Sequence, residues 1–199
     1  QEKMDGSNVC VVRKDGKLLA LGRSGYLCSD SNQEQHQMFD RYVKTNESKF
    51  DAILPNEEDR IVGEWCARAH GTIYSGMEDP FYAFEIFRDN KPIPFLEFVR
   101  TIASVNIQMP TVLHLGGSCS IQRALKLLKK MSPWTDNEGL VYRLEESGVQ
   151  KLIAKYVKHD KEDGKYLKNG GEIWHWSDEP IYDAMRDPLT IVIEIERDK

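Results

Sequence analysis

Val9-Cys10-Val11-Val12-Arg13-Lys14-Asp15-Gly16-Lys17-Leu18-Leu19-Ala20-Leu21-Gly22 is the stretch that decides the fold class. Two short β-prone runs, Val9–Arg13 and Leu18–Gly22, flank Lys14-Asp15-Gly16-Lys17. An Asp-Gly between such runs signals a hairpin, because both residues accept the positive φ that a tight turn demands. Just upstream stands Lys3-Met4-Asp5-Gly6-Ser7-Asn8, a lysine two residues before another Asp-Gly. Just downstream, Gly22-Arg23-Ser24-Gly25 ends the second run on an arginine. An antiparallel unit therefore lies between two groups of polar residues.

Further β-type runs follow. Arg60–Ala67 and Phe81–Phe87 are rich in aromatic and β-branched residues and predict buried strands. His70–Pro80 between them carries Gly71, Gly76 and Pro80 and predicts a loop. Leu140–Leu144 and Leu152–Val157 are strand-like, and Ile93–Ile102 fits either type. Met38–Lys44 predicts a helix after the polar stretch Ser29–Gln37. Ser120–Met131 is the clearest helix: Ile121, Ala124, Leu125 and Leu128 share one face, and Ser120 stands at the N-cap. His159–Gly171 reads as a charged surface segment. Leu189, Ile191, Ile193 and Ile195 alternate with Thr190, Val192, Glu194 and Glu196 as in a half-exposed edge strand. Many strands among few helices predict an α+β fold with largely antiparallel sheets rather than a doubly wound one.

Composition narrows the function classes. The 199 residues suit a single domain, and the hydrophobic share of 40% supplies a core. Lys and Arg number 27 against 32 Asp and Glu, a net charge of -5, so bulk charge cannot hold a nucleic acid; a local basic groove is required. No apolar run approaches a membrane span of about 20 residues, and no charged-then-apolar leader opens the sequence. Cys10, Cys28, Cys66 and Cys119 lie far apart, which predicts free thiols in a reducing, cytoplasmic compartment. The five histidines lack ligand spacing, so no zinc site is predicted.

The chemistry-bearing residues recur in a fixed order. After Lys3-Met4-Asp5-Gly6 and Arg23 come Val62-Gly63-Glu64-Trp65, Phe81-Tyr82-Ala83-Phe84-Glu85, and Glu138-Gly139-Leu140-Val141-Tyr142-Arg143. Lys151, Lys155 and Lys158 close the series. Carboxylates inside apolar strands are expensive unless partnered or used, which singles out Glu64 and Glu138. This order resembles the covalent nucleotidyltransferase superfamily of polynucleotide ligases and messenger RNA capping enzymes. Within it the resemblance is to ATP-dependent RNA ligases of the phage RNA-repair and RNA-editing type. Asn8 closing the first motif, the Gly-Glu-Trp segment and the Tyr-x-Phe-acid strand point there. The resemblance runs from Glu2 to about Lys158.

That resemblance implies an adenylyltransferase domain of two mostly antiparallel sheets with flanking helices, spanning residues 1–199. Residues 160–199 would be a surface segment and edge strand, with no oligonucleotide-binding barrel. The segment that ordinarily precedes the lysine motif and helps form the pocket is not within the two residues ahead of Lys3. Lys3 would be the nucleophile that takes AMP from ATP, and Glu138 would place Mg²⁺ or Mn²⁺. Lys155 would hold the α-phosphate, although spacing leaves Lys151 and Lys158 as alternatives. Asp5, Asn8 and Arg23 would contact nucleotide or substrate phosphates, Glu64 the ribose, and the backbone at Glu2 the adenine edge. Phe84 would stack on adenine or belong to the core. The partners would be ATP and RNA ends, a 5′-phosphate and a 3′-hydroxyl.

The physics suits these assignments. A lysine attacks only as the neutral amine, which burial, a second cation and a metal all favour. Nucleotidyl transfer spreads negative charge over phosphate oxygens, which cations and a hard metal on carboxylate oxygen offset. Alternatives are a capping-type guanylyltransferase, a DNA ligase adenylation domain, or a non-catalytic RNA-binding module of the same fold. Met77, the Trp174–Trp176 pair and the Ser120–Met131 apolar face predict packing, and His70 predicts an ordinary loop hydrogen bond.

Overall fold

The computed structural model of the chain describes residues 1–168 and 173–176. Among the described residues, twelve strands and helices order themselves into two antiparallel sheets and four helices, an α+β architecture. The predicted hairpin is β2 (Ser7–Lys14) and β3 (Lys17–Gly22), paired from Val9↔Gly22 to Lys14↔Lys17. Asp15 (φ 49°) and Gly16 (φ 72°) supply the two positive φ values of its turn. β4 (Arg60–Trp65) and β5 (Phe81–Arg88) extend this sheet, and the short β6 (Lys91–Pro92) ends it, in the order β3-β2-β4-β5-β6.

One face of this larger sheet is covered by α1 (Glu34–Thr45) and α2 (Glu47–Ile53). α1 is longer than the sequence pattern predicts, and α2 is unforeseen: Phe50 and Ile53 alone give it a buried face. Phe39 and Tyr42 of α1 meet Trp65 of β4, each with ring centroids 5.2 Å apart. Phe81 lies 5.6 Å from Phe39, and Trp176 lies 5.6 Å from Trp65. These aromatic rings form the centre of the largest core cluster.

The smaller sheet joins the first two residues of interest to the second half of the chain. β1 (Glu2–Lys3) pairs with β7 (Gly139–Glu146), which pairs with β8 (Val149–Val157). Between the sheets' contributions lie α3 (Phe95–Ala103) and α4 (Ile121–Met131). The ambiguous stretch 93–102 resolves as helix because Phe95, Phe98 and Ile102 repeat at helical spacing and are buried. α4 matches expectation, down to Ser120 accepting the Arg123 N–H at 3.3 Å; Ala124 and Leu128 pack against Leu113 and Leu140. The edge strand predicted over residues 189–195 lies outside the described residues.

Burial differs sharply between the two sheets. Phe39, Phe50, Phe81 and Trp65 are fully buried, whereas Leu152 of β8 is 57% exposed. Phe39→Ala should therefore cost about 3–5 kcal/mol, a cavity in a ring cluster that cannot collapse. Leu152→Ala should change stability by no more than about 0.5 kcal/mol. Urea unfolding of both variants checks the contrast, and equal losses would contradict it.

Candidate active site

Pairing of β1 with β7 sets Lys3 opposite Gly139, which brings it beside the preceding residue, Glu138. Lys3 Nζ donates to Glu138 Oε2 across 135 positions of sequence, with the two side chains 19% and 16% exposed. No bond to Glu138 Oε1 is made among the described residues. Two glycines make this approach possible. A Cβ on Gly139 would collide with the Tyr156 carbonyl of β8, and one on Gly6 with the Trp65 carbonyl of β4. The glycine in each motif is thus dictated by close backbone approach.

The same lysine opens into a cleft of about 400 Å³ between the two sheets. From the larger sheet come Asn8 and Glu64, directly opposed across β2 and β4, together with Phe84 of β5. From the smaller sheet come Glu2, Lys3, Val141, Arg143, Ile153 and Lys155. An extended run between them ties both walls together: Ala83 N–H donates to Gln108 O, and Glu2 N–H to Thr111 O, at 2.9 Å each. Pro110 of that run lines the cleft.

Phe84 continues the alternation of Phe81, Tyr82 and Ala83 and shares the face of Tyr82, which pairs with Glu64. Val62 pairs with Glu85 and Gly63 with Ala83, so the register skips Phe84. The alternation breaks just after this bulge, where Glu85 and Ile86 are both buried. Phe84 is half-buried and stands outside the core clusters. Val141 and Ile153 line the cleft from the other sheet.

The carboxylates around Lys3 are perturbed by burial. Glu64 is pushed up to about 7, chiefly by desolvation, against the pull of the Lys3 charge and a Gly6 N–H donated to its Oε1 at 3.2 Å. The nearby charges of Glu138 and Asp5 add to the rise. Glu138 is also raised by burial, while its bond to Lys3 holds it down. Glu2, 1% exposed, is raised by burial and lowered by the Ser132 hydroxyl, which donates to its Oε1 at 2.8 Å.

Several residues from the sequence reading stand elsewhere. Asp5 is not in the cleft lining; its Oδ2 accepts the Gly71 N–H at 2.8 Å and its own N–H donates to Tyr74 Oη at 2.7 Å. It anchors the 66–80 loop to the Lys3–Asn8 segment. Arg23 is exposed at the end of β3, away from the cleft lining. Glu2 lines the cleft, and its backbone N–H donates to the Thr111 carbonyl. Among the lysines of β8 and beyond, Lys155 lines the cleft and Lys151 and Lys158 do not. His70 Nε2 pairs with Gln35 Oε1 at 3.3 Å, the ordinary loop bond expected of it. Met77, Trp174 and Trp176 pack in hydrophobic clusters.

Arg143 and Val141 escaped the sequence reading as site residues. An arginine at an inward position of an apolar strand was the available signal, since a buried guanidinium demands a partner. Among the described residues, no group of three or more metal-ligating side chains forms a ready-made cage. Glu138, with one oxygen on Lys3 and the other unpartnered, suits a hard cation that takes one protein carboxylate and fills its shell with phosphate oxygens and water. All four cysteines are free thiols, and no helix among the described residues is long and apolar enough to cross a membrane.

The sequence profile of the RNA ligase family matches residues 1–157. A Naegleria gruberi RNA ligase, solved with pyrophosphate, superposes with a TM-score of 0.53 at 18% identity, over 78% of this chain and 48% of that one. An archaeal ATP-dependent RNA ligase gives a TM-score of 0.42 at 22% identity, over 57% of this chain and 30% of that one. An uncharacterised protein of Methanocaldococcus jannaschii is 26% identical over 110 residues, 54% of this chain and 27% of that protein. The chain thus spans at most about half the length of the relatives it matches.

The raised Glu64 carboxyl makes stability depend on pH. The folded protein holds that proton more tightly than the unfolded chain, whose carboxyl titrates near 4.5. The stability contributed by protonated Glu64 is complete below 4.5 and is lost as pH rises through about 7. Raising the pH from about 5 to about 8 should therefore destabilise the wild type relative to Glu64→Gln. Denaturant midpoints at both pH values measure it, and an unchanged gap would remove the burial effect.

Proposed function

The chain belongs to the RNA ligase family, and on that premise we propose that its cleft carries out ATP-dependent adenylylation for RNA end joining. The observation that carries this reading is the convergence of Lys3, Asn8, Glu64, Phe84 and Lys155 on one cleft, with Glu138 paired to the lysine. Each belongs to a different strand or strand end, and no structural need of the fold requires these side chains to meet.

In this mechanism the neutral Lys3 amine attacks the α-phosphorus of ATP. The new P–N bond forms as the bond to the bridging oxygen breaks, and pyrophosphate leaves. Attack requires the Lys3–Glu138 pair to open, because an ion-paired ammonium has no lone pair to offer. Lys155, on the β8 side, offsets the α-phosphate charge as it builds. Mg²⁺ or Mn²⁺ held by Glu138, phosphate oxygens and water would supply further charge neutralisation at the phosphates. Glu64 and Asn8, side by side on neighbouring strands, face the ribose, and the base lies between Phe84 and the aliphatic wall of Val141 and Ile153. An RNA 5′-phosphate oxygen then attacks the phosphorus of Lys3–AMP, breaking the P–N bond and returning the amine. The RNA 3′-hydroxyl finally displaces AMP and closes the phosphodiester.

Incubation with ATP labelled at the α-phosphate should yield an acid-labile, covalent AMP adduct. Lys3→Ala and Lys3→Arg should both reduce it to background, since a guanidinium stays protonated. Glu138→Gln, which keeps size and removes charge, should slow adduct formation by about a hundredfold or more at saturating ATP. Wild-type labelling by either Lys3 variant overturns the nucleophile assignment. GTP labelling as well as ATP would move the protein to the capping branch.

A further inference from the structure

Arg143 reaches from β7 across to β5, and the chemistry above makes no use of it. Its Nη1 donates to Glu85 Oε1 at 2.6 Å, and its Nη2 to the Phe84 carbonyl at 3.0 Å. Nη1 also meets Gln150 Oε1 of β8, and the guanidinium carbon lies 5.8 Å from the centre of the Phe95 ring. The Arg143 and Glu85 side chains are only 11% and 9% exposed.

Stability alone is a poor reason for such a pair. Desolvating both charges costs so much that an apolar pair of the same volume is often as stable or more so. An apolar pair, however, cannot hold a particular carbonyl in a particular direction. The carbonyl that Arg143 holds belongs to Phe84, the residue the β4–β5 register skips. A bulged residue is not fixed by the regular ladder, so its orientation depends on whatever else it meets. Here that partner is a two-pronged donor from the opposite sheet, and guanidinium geometry can grip the carbonyl and the neighbouring carboxylate together.

We propose that Arg143 is a positioning residue that clamps the Phe84 bulge and so sets the affinity of the cleft for the nucleobase. It acts from the opposite sheet and takes no part at the reacting phosphorus. The inference rests on reading the cleft as a nucleotide site with Phe84 against the base. It adds that the two sheets must be latched for that ring to be in place. Arg143, Glu85 and Gln150 form the latch, and Phe84 is what it holds.

The test compares wild type, Arg143→Lys, Phe84→Leu and the double variant. Two quantities are measured: AMP affinity by calorimetry, and the ATP dependence of Lys3–AMP formation. Lysine keeps a charge opposite Glu85 but cannot also grip the Phe84 carbonyl. Arg143→Lys should weaken AMP binding, and raise the ATP needed for half-maximal rate, by roughly tenfold, the worth of a hydrogen bond from a charged donor. The saturated adenylylation rate should stay within about twofold, because nothing at the phosphorus has changed. In the Phe84→Leu background the lysine change should add almost nothing, since both act through one ring.

Effects of Arg143→Lys and Phe84→Leu that multiply would overturn the proposal, as would wild-type AMP affinity in Arg143→Lys. A fall in saturated rate at unchanged affinity would also overturn it. The two readings fail separately. If AMP binds and the two positions couple while no adduct forms on Lys3, the clamp stands and the covalent chemistry falls. If the adduct forms but Phe84→Leu binds AMP normally, adenylylation stands and the clamp falls.

Discussion

The pairing of β1 with β7 is the constraint on which the site depends. Gln1 and Val141 exchange two backbone bonds, at 2.8 and 2.9 Å, and Glu2 and Lys3 then fall opposite Leu140 and Gly139. A two-residue strand contributes little by itself, yet this one fixes the register of a lysine against a carboxylate 135 positions away. Slipping by one residue would turn the lysine to the other face of the sheet, towards α4 and away from the cleft. The register in turn demands Gly139, since the β8 backbone passes where a side chain would begin.

The two walls of the cleft are built on different energetic terms. The five-stranded sheet stands on a dense aromatic cluster, with Trp65, Phe39, Phe50 and Phe81 fully withdrawn from water. The β7–β8 hairpin, by contrast, leaves Leu144, Val149, Leu152 and Ile153 between 44% and 57% exposed. Free energies of local opening follow buried contacts, so the hairpin is the wall that yields more readily. Leu140 packs it against α4, and its ties to β5 and α3 are polar: Arg143 to Glu85 and Phe84, and the Phe95 N–H donating to Glu145 Oε2 at 2.8 Å. Such ties carry direction as well as energy, which suits a cleft whose width matters.

Negative charge gathers around Lys3. Asp5 and Glu138 both raise Glu64, Asp5 also raises Glu138, and Lys3 is the cation that lowers Glu64 and Glu138 alike. Burial makes the charged form of Glu64 and Glu138 costly, and each pays part of that cost through the other's counter-charge on Lys3. A site in this condition favours incoming positive charge near the carboxylates, and Lys155 stands as a second cation on the β8 side. The arrangement separates attraction for a cation from attraction for an anion across one small cleft.

Sequence alone determined six strands, β2 to β5 with β7 and β8, the hairpin turn and the capped helix, because local pattern encodes each: alternation, an Asp-Gly at positive φ, a serine before an amphipathic run. It also singled out Lys3, Glu64 and Glu138 as candidates, since charged groups set among apolar or turn residues are costly without a purpose. It missed β1 and β6, two residues each, and α2, where two buried positions in seven leave no clear period. Tertiary structure alone decided the rest. It put Lys155, and not Lys151 or Lys158, in the cleft lining, because which lysine faces the cleft depends on the β7–β8 register, where Val141 stands opposite Lys155. It took Asp5 and Arg23 out of the cleft lining, and a carboxylate such as Asp5 is used by whichever partner folding brings nearest. And it put Phe84 on the cleft face, because an aromatic strand does not itself say which of its two faces meets the core; pairing with β4 decides that by setting Tyr82 opposite Glu64.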